Sequence, residues 1–194
     1  YEDQNNLNDS IDESFGKKIL KLHKVSPIFG CKFGDKRGGK KNIHSWDLDF
    51  TGKLSKSEKD LMQKIMLERR KKHWAKEKCI KWMDGMPLSF DDIQSFYEGD
   101  VESLRSMLDN LESNKYLRKE KCKDLLDGKR VFKEESEIGY NICKGKLSFP
   151  VSQVLDPMKV SPTLTATDAH KLCVIVGENC VRRLNQTELK RLSG

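Results

Sequence analysis

SPTLTATDAHKLCVIVGENCVRRLNQTELKRLSG, residues 161–194, decides how the chain is read. Ser161-Pro162 interrupts whatever precedes it, because proline lacks an N–H and pushes the residue before it toward extended backbone. KLCVIV, residues 171–176, is a short apolar run that reads as a buried strand. Asn185 with Glu188 three residues on has capping-box form, so a helix is expected over residues 186–192 with Leu184, Leu189 and Leu192 on its inner face. A strand running into a capped helix points to an α+β fold.

Upstream, GYNICKGKLSF (residues 139–149) reads as a second buried strand, set apart by the Asp156-Pro157 breaker. Residues 86–131 follow the order of a winged helix-turn-helix. Ser89 before Asp91 and Asp92 suits a helix start, and Ile93, Phe96 and Tyr97 face inward. Gly99-Asp100 makes a turn, and Leu104, Met107, Leu108 and Leu111 have the spacing of a second helix. Asn114-Lys115 ends that helix, Tyr116-Leu117-Arg118 begins a strand, and Asp127-Gly128 is the turn of a wing. The second helix presents Glu102, Asp109 and Glu112 outward against one Arg105, so phosphates would repel it from a groove. The wing is the more basic part, with Arg118, Lys129 and Arg130 its candidate DNA contacts.

Ser55-x-x-Glu58 has capping-box form before an apolar face of Leu61, Met62, Ile65 and Met66, and ERRKKHWAKEK (residues 68–78) extends it as a basic stretch. Before it lies FGCKFGDKRGGKKNIHSWDLDFTG, residues 29–52, where glycines break any helix and Lys36, Arg37, Lys40 and Lys41 crowd around Gly38-Gly39. Ile43, Trp46, Leu48 and Phe50 are expected to form a twisted strand. ILKLHKV (residues 19–25) alternates and reads as a strand, and the Asn/Asp-rich residues 1–14 read as a linker.

The net charge of +7 is unevenly placed. Residues 1–15 carry −5, residues 16–81 carry +13 and residues 82–194 carry −1, so the cationic excess sits in one third of the chain. A polyanion is the natural partner of such a surface, because neutralising phosphates releases condensed counterions. The six cysteines have no C-x-x-C spacing and do not group with the four histidines, so no metal is expected. No run of about 18 apolar residues is present, so no membrane span is expected.

The last 34 residues resemble the C-terminal end of the target-recognition region of DNA (cytosine-5) methyltransferases. Those enzymes run a Thr-Leu pair, a short β segment and an Arg-x-Leu-x-x-x-Glu-x-x-Arg-Leu helix. The matching residues are Thr163-Leu164, Arg183, Glu188, Arg191 and Leu192, with Asn185 where Thr is usual and Ser193 where Gln or Phe often sits. FGDKRGGKKNIHSWDLDFTG, ERRKKHWAKE, WMDGMPLSF and GYNICKGKLSF are similar to one subgroup of the same family.

The resemblance implies a piece of a larger, S-adenosylmethionine-dependent enzyme, bacterial or phage in type, cytoplasmic, and belonging to a restriction-modification system. The family's Pro-Cys nucleophile, cofactor motif and catalytic acid do not occur in these residues, so this chain alone is expected neither to methylate nor to bind the cofactor. Its expected partners are double-stranded DNA and the parent's own catalytic domain. Carried over, Thr163 gives its hydroxyl to a phosphate near the flipped nucleotide, Leu164 packs beneath it, and Thr165 shares the role. Arg183, Glu188 and Arg191 join the recognition region to the catalytic domain. The loop contributes Arg37, Lys40, Lys41, Asn42, His44 and Ser45, of which Arg37 and Asn42 are the expected base readers.

The expected architecture is a small twisted β-sheet recognition region with an inserted winged-helix-like helical module. Residues 1–15 are linker, 16–54 a basic glycine-rich β region, 55–149 the module, and 150–194 a β segment and helix leading back to the catalytic domain. A stand-alone winged-helix DNA-binding protein without enzymatic parent is the competing reading, and a degenerate methyltransferase that binds without catalysis is a third.

Overall fold

The computed structural model of the chain describes residues 11–81, 85–143, 145, 148–164 and 169–193. The chain forms two compact units, one of residues 1–34, 39–44 and 146–194, the other of residues 35–38 and 45–145. Helices and small sheets both contribute, as an α+β fold requires.

The first unit opens with α1 (Glu13–Val25), not with the strand expected over residues 19–25. Asp12 caps it by accepting the Phe15 N–H at 3.0 Å, and Lys24 sits in its last turn, where a cation offsets the helix dipole. The seven-residue window showed alternation, but Phe15, Ile19 and Leu22 together have helical spacing, and Phe15 and Ile19 are buried. Of the expected linker, residues 1–10 lie outside those described.

A five-stranded sheet follows, in the order β2 (Asn42–Ile43), β1 (Lys32–Phe33), β7 (Gln153–Val154), β8 (Leu172–Val176), β9 (Cys180–Arg183). The β1–β2 and β7–β8 pairs are parallel, while β1–β7 and β8–β9 are antiparallel. Helix α1 lies against β9, where a Cβ on Gly16 would stand 3.2 Å from Val181. Phe33 bridges Phe15 and Phe149, with ring centroids 6.3 Å from each, so aromatic packing joins helix, sheet and loop. The unit ends in α6 (Gln186–Ser193), whose N-terminus is the expected box: Glu188 N–H donates to Asn185 Oδ1 at 2.8 Å and Asn185 N–H to Glu188 Oε2 at 2.9 Å.

The second unit packs α2 (Lys56–Glu68), α3 (Lys72–Glu77), α4 (Phe90–Phe96) and α5 (Val101–Ser113) around one apolar core. Capping boxes at Ser55/Glu58 and Ser89/Asp92 start α2 and α4. The basic stretch does not prolong α2: the helix ends at Glu68, and Arg69 is buried and donates to the Gly85 carbonyl at 2.7 Å. Lys78, at the end of α3, pairs with Asp92 at 2.6 Å. Leu104, Leu108 and Leu111 of α5 are fully buried, and each contributes roughly 1.5–3 kcal/mol, more than an exposed ion pair. The strand expected through Trp46 and Leu48 is absent beyond Ile43. Both side chains are buried, but Asp49 at φ 47 turns the backbone out of extended geometry.

Beyond α5 two antiparallel ribbons form, β3 (Leu117–Lys121) with β6 (Ile138–Ile142), and β4 (Lys123–Leu126) with β5 (Lys129–Phe132). Asp127 and Gly128, at φ 49 and 77, supply the two positive-φ positions of the β4–β5 turn. Tyr116 anchors the ribbons to the loop before α2, donating its hydroxyl to the Gly52 carbonyl at 2.6 Å. Strand β6 also bridges Leu88, so closely that a Cβ on Gly139 would stand 2.8 Å from the Leu88 carbonyl carbon and oxygen. Gly139→Ala should therefore cost about 1–3 kcal/mol, read as a lowered urea midpoint at unchanged slope.

Candidate nucleic-acid interface

Within the first unit, sheet pairing brings together two segments more than a hundred residues apart in sequence. The Gly39 carbonyl accepts the Asn42 N–H at 3.0 Å, closing a turn with Lys40 and Lys41 at its centre. Gly39 has φ +126, a region that suits glycine. The Lys41 carbonyl accepts the Lys32 N–H at 2.8 Å, which fixes the turn to β1. On the other side of β1, Val154 donates to the Cys31 carbonyl at 3.0 Å and accepts from Gly30 at 2.9 Å, so β7 and the turn after it lie beside the same strand.

Lys41 from the first segment and Ser161 and Pro162 from the second line one cavity of about 390 Å³. Its apolar walls include Leu155, Val174 and Ile175, and Gln153, Asp156 and Lys159 complete its polar rim. Lys40, Lys41 and Thr163 are exposed, and Leu164 is half-buried. Thr165 lies outside the described residues.

The remaining loop residues divide by burial. His44 and Ser45 are 0% and 1% exposed. His44 Nδ1 lies 3.0 Å from the Gly34 carbonyl, while Ser45 donates its hydroxyl to Asp35 at 2.6 Å and its N–H to the same carboxylate at 2.9 Å. Asn42 is half-buried, and Arg37 is exposed. Arg37 belongs to the second unit, where the neighbouring Gly38 lies so close to α2 that a Cβ there would meet Leu67 at 2.9 Å. In the same unit Lys129 and Arg130 project from β5, and Arg118 is held by Glu120 at 3.0 Å.

The sequence match assigned Arg183 to Glu188, but the Arg-x-Leu-x-x-x-Glu spacing falls on Arg182, Leu184 and Glu188, and the guanidinium that grips Glu188 belongs to Arg182. Its two terminal nitrogens donate to the two carboxylate oxygens, both at 2.8 Å, and one also donates to the Arg183 carbonyl at 3.0 Å. The missed signal is the spacing, since Arg182 stands two residues before Leu184 as the pattern requires, and adjacent arginines on β9 face opposite ways. Arg183 instead donates to the Pro150 carbonyl at 3.3 Å, and Arg191 is exposed.

Burial pushes the thiols of Cys31 and Cys122 up and that of Cys173 up to about 12, so these three are protonated and poorly nucleophilic at neutral pH. Among the described residues no group of three or more His, Cys, Asp or Glu is placed to hold a metal ion, and no helix is long and apolar enough to cross a membrane.

The chain is similar to type II methyltransferases. It is 44% identical over 180 residues to type II methyltransferase M.NlaIV of Neisseria lactamica, an alignment covering 93% of this chain and 42% of that protein. It is 42% identical over the same length and shares to M.NgoBV of Neisseria gonorrhoeae. With M.BanI of Aneurinibacillus aneurinilyticus it shares 34% identity over 167 residues, 86% of this chain and 33% of that one. The chain thus spans about two fifths of the length of the first two relatives. No family model and no solved structure matches it.

The Arg182 guanidinium holds the Glu188 carboxyl down to about 2, with the Asn185 N–H adding to the effect. A depressed folded-state value contributes stability that is fully present above the unfolded carboxylate range and is lost as pH falls toward 2. Glu188→Gln should thus lower the thermal midpoint at pH 6 to 7, and the gap from the parent chain should close between pH 4.5 and 2. A gap constant across that range would rule the pairing out as a stabilising contact.

Proposed function

We propose that the chain recognises double-stranded DNA as the target-recognition portion of a DNA (cytosine-5) methyltransferase of a bacterial restriction-modification system. In this reading the remaining portion of the enzyme binds S-adenosylmethionine and carries the nucleophile. The observation that carries it is the meeting of Lys41, from the basic turn, with Ser161 and Pro162 in the lining of one cavity. The family resemblance makes the second of these segments a backbone contact, and a basic turn beside it suits the same polyanion. Similarity to type II methyltransferases over 93% of the chain supports the parentage. The match of Thr163-Leu164, Arg182, Glu188 and Arg191 to the family pattern supports cytosine-5 chemistry.

Residue roles follow from exposure. Lys40 and Lys41 meet phosphates, Thr163 donates its hydroxyl to a phosphate oxygen with Leu164 packed beneath, and Thr165 extends that contact. Arg37 and Asn42 read base edges, Arg having the fork that matches guanine. His44 and Ser45 brace their loop segments from inside. Lys129, Arg130 and Arg118 supply a second, ribbon-borne contact. The helices α4 and α5 with the ribbons behind them have winged-helix order, and the exposed Glu102 and Asp109 keep α5 itself out of a groove. Arg183, Glu188 and Arg191 serve the junction with the catalytic portion.

Bisulfite sequencing of DNA from cells expressing the full-length parent tests the whole reading: a single methylated-cytosine motif is expected, and unmodified DNA would favour the stand-alone regulator or a degenerate enzyme. In fluorescence anisotropy the chain's DNA affinity should fall steeply with salt, and Lys41→Ala should reduce the log–log slope by about 1. Arg37→Ala should relax discrimination at one base pair by roughly 1–3 kcal/mol. Equal loss on every sequence would make Arg37 a phosphate contact.

A further inference from the structure

The turn between β7 and the cavity mouth exposes apolar surface that nothing described so far uses. Met158 is 89% and Val160 97% exposed, the two most exposed large apolar side chains among the described residues. The turn is nonetheless tightly built. Asp156 accepts the Met158 N–H on its carboxylate at 3.1 Å and the Lys159 N–H on its carbonyl at 3.1 Å, and it pairs with the Lys159 ammonium at 3.3 Å. Pro157 and Pro162 fix φ near both ends of the segment, and the Leu155 N–H ties its base to the Cys173 carbonyl at 2.8 Å. Two apolar side chains are therefore held in water on a preorganised support, which reduces the entropy lost when a partner covers them.

We infer that residues 156–162 form an apolar wedge that enters the DNA duplex, Met158 and Val160 unstacking one base step. The inference rests on the DNA reading above and adds to it a site of duplex deformation. Charge chooses the occupant. Lys159 stands between the two apolar residues, paired with Asp156 at 3.3 Å, and Lys41 stands on the same cavity rim. An apolar protein groove would have to strip water from the Lys41 ammonium and from the Lys159–Asp156 pair without repaying either. A duplex offers phosphates to the amines and base faces to the apolar tip, the combination used by wedge residues that kink DNA.

The test uses the 194-residue chain and a short duplex that it selects from a random-sequence pool, with 2-aminopurine replacing each adenine in turn. The parent chain should raise 2-aminopurine fluorescence at one step, reporting unstacking there. The double variant Met158→Ser/Val160→Ser should abolish that rise and weaken binding roughly tenfold, with the salt slope unchanged because no phosphate contact is lost. Lys41→Ala should show the converse, a shallower slope with the fluorescence rise retained. Both residues of the double variant are exposed, so its thermal midpoint should match the parent's. Parent-level affinity in the double variant, as expected of a tip that serves a protein partner, overturns the wedge. So does binding by the parent chain with no fluorescence rise at any position. Either result leaves DNA recognition standing. Recovery of no duplex from the pool sinks the DNA reading itself, and the wedge with it.

Discussion

The backbone ladder between residues 30–33 and 152–154 holds the first unit together. Gly30, Phe33 and Val154 each donate across it, at 2.9, 2.9 and 3.0 Å, to Val154, Ser152 and Cys31. On either side of this ladder hang the parallel pairs, β1 with β2 and β7 with β8. β1, β2 and β7 are two residues long, so propensity alone would not hold them. Phe33, Val151 and Val154, all at most 2% exposed, supply the burial that sets the register. The basic turn at Lys40–Lys41 and the segment at Ser161–Thr163 keep their places only while that ladder is closed.

Local chemistry made some elements readable from sequence. The boxes at Ser55, Ser89 and Asn185 act within four residues, and each starts a helix as its pattern demands. Asp127-Gly128 likewise gave the β4–β5 turn, since both positions need positive φ. What stayed hidden was non-local. Helix α1 looked like a strand in a window that left out Phe15. His44 and Ser45 looked like surface ligands because the Gly34 carbonyl and the Asp35 carboxylate that enclose them lie ten residues back. The Arg182–Glu188 pair was not hidden in this way, since the Arg-x-Leu-x-x-x-Glu spacing falls on Arg182, one residue before the Arg183 assigned to it. The meeting of Lys41 with Ser161 and Pro162 at one cavity had no sequence signal, because it depends on strand order.

The cations serve two ends. Lys17, Lys59, Lys64, Lys71, Lys78 and Lys119 are paired with carboxylates of their own unit, Lys17 across a single turn of α1. Such pairs contribute at most about 1 kcal/mol when exposed, so they leave stability to the leucine core. Lys40, Lys41, Lys129 and Arg130 project instead from turns and ribbon ends. Cations held on short, hydrogen-bonded turns lose little freedom when a polyanion arrives.

The first unit is built from chain on both sides of the second, with residues 45–145 lying between its halves. During synthesis β1 has no antiparallel partner until Gln153 has been made, and β7 has no β8 until Leu172 has followed. The second unit, whose core spans residues 46–142, is complete by then. Order of synthesis thus runs from the inside outward: the helical unit has its whole core while the sheet around the cationic turn still waits for its central strands.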